Sequence, residues 1–269
     1  MQSMAAMNRL DMFDEMGLGP LWIERHVQGG AGAIRIADMV PVDISQESLP
    51  DYAGDMPAIA AVADETASAA PDLVSVRTVA AMSWDALQNQ VSQCRDCGLC
   101  NGRTKTVFGV GDQAAQWLFV GEGPGYNENI QGQPFVGAAG RLLDNMMASL
   151  GVQRGQRAYI ANVVKCRPTD DTGKDRPPTA AEIEACLPYL RRQIALIQPQ
   201  VIVALGKTAA VALLGLDMET PVSQLRGKVH RVNQIPMVAT YHPAYLLRKP
   251  VDKSKAWKDL CLARAQLPQ

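Results

Sequence analysis

Residues 119–140 read FVGEGPGYNENIQGQPFVGAAG, and the residue types in this stretch suit the capture of a flat, hydrogen-bonding ligand. Apolar residues end at Gly121 and are followed by Glu122, Gly123, Pro124 and Gly125. That pattern predicts a strand running into a wide turn, whose small residues leave backbone amides open to a ligand. The turn is expected to continue through Asn127, Glu128 and Asn129 to Phe135, a lone aromatic ahead of a Val-Gly-Ala-Ala-Gly helix start. Exposed amides, fixed carboxylates, a side-chain amide and one ring together fit a nucleobase. A glycine-rich phosphate loop or a purely structural turn are the alternatives, although the stretch lacks the lysine and Ser/Thr of a P-loop and the spacing of a dinucleotide fingerprint.

A second group of reactive residues is the cysteines, at 94, 97, 100, 166, 186 and 261. They are not spaced as a disulfide framework, and a cytosolic chain keeps its thiols reduced. CxxC followed at a distance by two single cysteines points to a four-thiolate site on Cys94, Cys97, Cys166 and Cys186. Zinc and an iron-sulfur cluster both accept such ligands. Cys100 could replace Cys97, and Cys261 is expected to be a small core residue of the last helix.

Positioning these groups requires a series of alternating strands and helices. Ser83 is a plausible N-cap for a helix that delivers Cys94. Strands are expected at Trp117–Val120, Ala158–Asn162, Val201–Leu205 and about Pro236–Thr240. Helices are expected at about Gly137–Leu150, after a Thr179/Glu182 capping box, at Lys207–Leu214 and at Ser254–Gln266. Leu225 to His230 reads as a loop and an edge strand. The fold class is therefore α/β, with three layers and a mainly parallel four-stranded sheet flanked by helices. Ligands of such sheets sit at the carboxyl ends of the strands, where Glu122, Asn162 and His242 all fall.

Residues 1–80 form an acidic extension expected to be poorly ordered, with short helical pieces at Leu10–Met16 and Leu21–Val27 and an acidic alanine-rich patch at Ala58–Ala70. Residues 81–269 are expected to be the α/β domain. The extension holds 12 acidic and four basic side chains, leaving 15 and 22 for the remainder, so a net charge of −1 conceals one segment near −8 and another near +7. A basic domain is compatible with a phosphate backbone as partner. No apolar run approaches the roughly 20 residues that span a bilayer, and the N-terminus lacks signal-peptide character, so a cytoplasmic protein without membrane contact is expected.

With these residues laid out, the chain resembles the family 4 uracil-DNA glycosylases, the iron-sulfur branch of their superfamily, over about residues 90–267. GEGPG at 121–125, QPFVGAAGRLL at 133–143, NVVKCRP at 162–168, LRGK at 225–228 and HPAYLLR at 242–248 carry the resemblance. It implies a 4Fe-4S cluster on Cys94, Cys97, Cys166 and Cys186, with zinc the lesser alternative, and a monomeric DNA-repair enzyme that hydrolyses uracil from single- or double-stranded DNA. In that reading Phe135 stacks on an everted uracil, Asn162 reads its N3–H and O4, and Glu128 crowds C5 against thymine. His242 and the Gly123 amide donate to O2, and Glu122 orients water or stabilises the sugar cation. Leu246 fills the vacated stack, while Arg226, Arg248 and Lys249 meet phosphates. Two positions depart from the family pattern: Asn129 and Tyr126 stand where acidic residues are usual, which bears on fine substrate preference. A tight uracil-DNA binder without turnover, a glycosylase for a broader set of deaminated bases and a zinc-stapled DNA-binding module are the competing readings. The extension could engage a repair or replication partner.

Overall fold

Four runs of five or six largely apolar residues dictate the centre of the molecule: Trp117–Gly121 (β2), Arg157–Asn162 (β4), Val201–Leu205 (β5) and Ile235–Thr240 (β7). β2 and β5 are buried along their whole length, the signature of strands covered on both faces. In the computed structural model, which describes residues 78–268, these strands pair in parallel in the order β4-β2-β5-β7. Three short strands extend the sheet beyond the expected four. Val110–Gly111 (β1) runs antiparallel to β4, Val229–Val232 (β6) antiparallel to β7, and Gln153–Arg154 (β3) parallel beside β4. The helical pieces and acidic patch expected before residue 71 lie outside the described residues.

Alternation along each strand divides the core in two. Leu118, Val120, Ile202 and Ala204 face Trp84–Gln93 (α1), Ala180–Ile197 (α4) and Lys207–Leu214 (α5). Trp117, Phe119, Val201 and Val203 face Ala138–Ala148 (α3), Pro243–Arg248 (α7) and Lys253–Arg264 (α8). Caps fix where the helices begin. Ser83 Oγ accepts from Ala86 N at 3.4 Å, and Thr179 and Glu182 form the reciprocal box at the start of α4. Packing already includes Val79, in the helical turn 78–81, ahead of the expected start at Ser83.

The expected wide turn after β2 is partly helical. Tyr126–Gln131 forms a short helix (α2), because Glu128 at its third position accepts the Gly125 amide at 3.2 Å and repairs an otherwise unpaired helix start. A second short helix, Val222–Leu225 (α6), precedes β6. Going from β2 the chain adds β4 on one side and then β5 and β7 on the other, so the strand order reverses between β2 and β5. A crevice is expected at the carboxyl end of that reversal, and the register sets Gly121 level with Asn162 there. Among the described residues no helix is long and apolar enough to cross a membrane.

Candidate active site and thiol cavity

A cavity of about 590 Å³ opens at that reversal, and Glu122, Gly123, Glu128, Phe135, Asn162, His242 and Arg248 all line it. The turn after β2 delivers Glu122, whose Oε2 accepts a short hydrogen bond from Thr208 Oγ1 in the first turn of α5. At Gly123 a Cβ would come within 2.8 Å of Val164 Cγ2, so only glycine lets this backbone reach the cavity wall. Both oxygens of Glu128 are engaged by backbone, one by Gly125 N and the other by Val136 N at 3.0 Å. The carboxylate thereby braces the two arms of the loop while presenting a fixed edge to the cavity.

Asn162 ends β4 and is 1 % exposed, and its Oδ1 is a buried acceptor without a hydrogen-bond partner. A Cβ on Gly121 would collide with this oxygen and with the Phe135 ring, so both groups converge over a bare backbone position. The Phe135 ring faces the His242 imidazole at 5.5 Å and 29°. His242 caps α7, its Nδ1 accepting the Ala244 amide at 3.2 Å. An Nδ1 used as acceptor leaves the ring proton on Nε2. Burial, aided by the Arg248 charge, lowers the His242 pKa to about 4, so the ring is neutral.

Two residues expected at DNA are packed or paired inside the protein. Leu246 is 1 % exposed and packs against Leu142, Met146, Ala256 and Leu260; the short α7 turns it inward and leaves Leu247, 44 % exposed, as the apolar side chain facing out. Arg226 is consumed internally. It pairs with Asp259, donates to the Lys255 carbonyl at 2.7 Å and lies over the Tyr241 ring, fastening the end of α6 to α8, away from the cavity lining. Lys207, missed in the sequence, lines the cavity beside Gly206. Its one signal was the Gly-Lys pair between a strand and a helix, at a glycine with φ of 96°.

Cys94, Cys97, Cys100, Cys166 and Cys186 border a second, smaller cavity together with Arg103, Lys165 and Tyr189. Arg103 donates to Cys166 Sγ at 3.3 Å and to the Cys94 carbonyl at 2.7 Å, and the Lys165 amide donates to Cys186 Sγ at 3.3 Å. Burial pushes the Cys94, Cys97, Cys166 and Cys186 thiols up, the last to about 12, so these sulfurs ionise readily only against a bound cation. Among the described residues no group of three or more His, Cys, Asp or Glu side chains closes on a single ion. Soft thiols with N–H donors directed at two of them fit an iron-sulfur centre. Cys261, expected in the core, is exposed.

The two cavities are linked by hydrogen bonds. Lys165 Nζ, fully buried, donates to the Asn162 carbonyl at 2.8 Å and to Gln193 Oε1 at 2.7 Å. Asn129, in place of the expected acidic residue, is buried and holds Thr104 through both its amide atoms, joining α2 to the cysteine-bearing segment.

A family model described as "Uracil DNA glycosylase superfamily" matches residues 108–266. A type-4 uracil-DNA glycosylase of Archaeoglobus fulgidus is 44 % identical over 62 % of this chain and 85 % of its own length. Another, of Pyrobaculum aerophilum, is 40 % identical over 67 % and 93 %, and a third, of Thermotoga maritima, is 39 % identical over 61 % and 83 %.

Proposed function

The chain belongs to the uracil DNA glycosylase superfamily, and from that premise we propose that it rotates uracil out of DNA and hydrolyses the bond between the base and deoxyribose. The observation that carries this reading is the unpaired Oδ1 of Asn162. A buried acceptor left without a donor costs about 1–3 kcal/mol, and the N3–H of uracil is the donor that would satisfy it. Cytosine carries an acceptor at N3 and would leave the oxygen unpaired, which disfavours it strongly.

Everting the nucleotide costs a few kcal/mol, and the stacking face of Phe135 offsets part of that. Cleavage leaves negative charge on the base, mainly at O2. The neutral His242 ring donates Nε2–H to that oxygen, and the Gly123 amide is the second donor. One such preorganised donor contributes about 3–4 kcal/mol to transition-state stabilisation. Glu122, oriented by Thr208, holds the attacking water or faces the developing sugar cation. Glu128, fixed by two backbone amides, crowds C5 and disfavours thymine. Leu247 takes the wedge role first expected of Leu246, and Arg248, Lys249 and Lys207 meet backbone phosphates.

Cys94, Cys97, Cys166 and Cys186 would hold a 4Fe-4S cluster, and these ligands would then tie the segment before β1 to the loop after β4 and to α4, a structural contribution. Cys100 borders the same cavity and is the candidate to replace Cys97. A preparation coloured by iron-sulfur absorption, with iron and acid-labile sulfide in equal amounts, is the expected result; stoichiometric zinc would overturn the assignment. For the activity, an oligonucleotide carrying one uracil is incubated with the protein and then treated with alkali. Strand scission at uracil and not at thymine is expected, with hypoxanthine testing breadth. A gel shift without scission would mean a binder rather than an enzyme.

A further inference from the structure

The aromatic platform of the cavity is held in a backbone conformation that it would not choose. Phe135 has φ of 56°, in the left-handed region where a residue with a Cβ is strained and persists only if its surroundings impose the geometry. Two neighbours do so. From β3, Arg154 donates through Nη1 to the Pro134 carbonyl at 2.8 Å and through Nη2 to the Phe135 carbonyl at 3.0 Å. The same guanidinium reaches Asp144 Oδ1 on α3 from Nε at 3.2 Å and from Nη2 at 3.0 Å. From the other side Gly140 comes so close that a Cβ there would overlap the Phe135 carbonyl. The strained residue is therefore gripped by its own backbone oxygen, and its ring is left in register with His242 and over Gly121.

We propose that Arg154 is a positioning residue for base capture: it clamps the Pro134 and Phe135 carbonyls so that the Phe135 ring is set at its stacking angle before DNA arrives. Arg154 is not among the side chains lining the cavity, so an effect on excision would be indirect, and the Phe135 carbonyl it holds is the contact that leads to the cavity. The inference rests on the reading of Phe135 as the stacking face. A lysine cannot replace it, because a single ammonium cannot span two carbonyls and a carboxylate as a planar fork does.

Arg154→Ala, Arg154→Lys, Phe135→Ala and the Arg154→Ala/Phe135→Ala double variant are compared in single-turnover uracil excision, with melting temperature and the thermal shift given by free uracil measured alongside. Both Arg154 variants should slow excision about 10- to 100-fold, the scale of a misplaced positioning group, and weaken the uracil-induced shift. The double variant should be no slower than Phe135→Ala alone, because the two residues act as one unit. Asp144→Asn, which loosens the clamp without removing it, should produce a smaller loss that also disappears in the Phe135→Ala background, and it serves if the Arg154 variants do not fold. Parental excision by the Arg154 variants with a slow Phe135→Ala overturns the inference, as does a double variant slowed by the product of the two single effects. Parental excision by Phe135→Ala instead overturns the stacking reading itself, and the inference with it.

Discussion

His242 carries its proton on Nε2 because Nδ1 is occupied by the Ala244 amide, and it stays neutral because burial lowers its pKa from the ordinary 6.5 to about 4. Between those values the unfolded chain binds more protons at this site than the folded one. Stability therefore rises with pH from 4 to 6.5 and is lost as pH falls through that window. For the reaction, the rate should show no inflection near 6.5 and should decline through this group only toward pH 4, where protonation of Nδ1 breaks the cap bond. A rate that falls as pH rises through 6.5, with that inflection lost in His242→Ala, would show that the ring works as a cation. The same substitution should slow excision by about 10²–10³-fold. Asn162 gives a second test. Asn162→Ala removes a buried oxygen with no partner, so resistance to urea should hold or rise, while excision falls and free uracil no longer raises the melting temperature. A large loss of stability would mean that the oxygen is satisfied in the native protein.

At the level of elements, the positions legible in the sequence are those tied to strand ends. Gly121, Asn162 and His242 follow long apolar runs, and a parallel sheet brings the ends of such runs together whatever the helices do. Short elements were not legible. β1 and β3 are two residues each, too brief for any alternation to register, and α2 depends on one side chain folding back on Gly125. The internal roles of Arg154 and Arg226 were not legible, the latter being expected at phosphates, because their partners are backbone carbonyls and carboxylates on other elements, which no local pattern encodes. The wedge shows the same limit within one helix. In α7, Leu246 and Leu247 are adjacent and chemically identical, and only packing against α3 and α8 decides that the first is core. Leu246→Ala should therefore cost about 2–5 kcal/mol of stability, as buried leucines do, measured by urea unfolding. Leu247→Ala should leave stability unchanged and slow excision from duplex more than from single-stranded DNA, since only the duplex has a stack to refill. Equal slowing on both substrates would remove Leu247 from that role.

Across the whole molecule, the α/β domain carries a net charge near +7 and residues 1–77 one near −8, so both charges would bear on a bound DNA. Those first residues hold 12 acidic and four basic side chains, so a cut after residue 77 deletes a net charge near −8 and spares Val79, which packs in the core, and the Met82 carbonyl, which accepts from Arg192 at 2.7 Å. A cut after residue 83 would remove both, along with the Ser83 cap, and should lower the melting temperature. The shorter deletion should leave the excision rate of saturated enzyme unchanged, because each cavity-lining residue lies beyond it. Binding should change, however. Acidic side chains tethered to a basic surface compete with phosphates for the same cations, so their removal should tighten binding to uracil-free DNA at low ionic strength. It should also steepen the dependence of affinity on salt. The difference should close as salt is raised and the Debye length falls below the span between the groups. Titrations of both proteins at several salt concentrations test this directly: parallel salt slopes would mean that the acidic segment stays clear of the DNA-binding face.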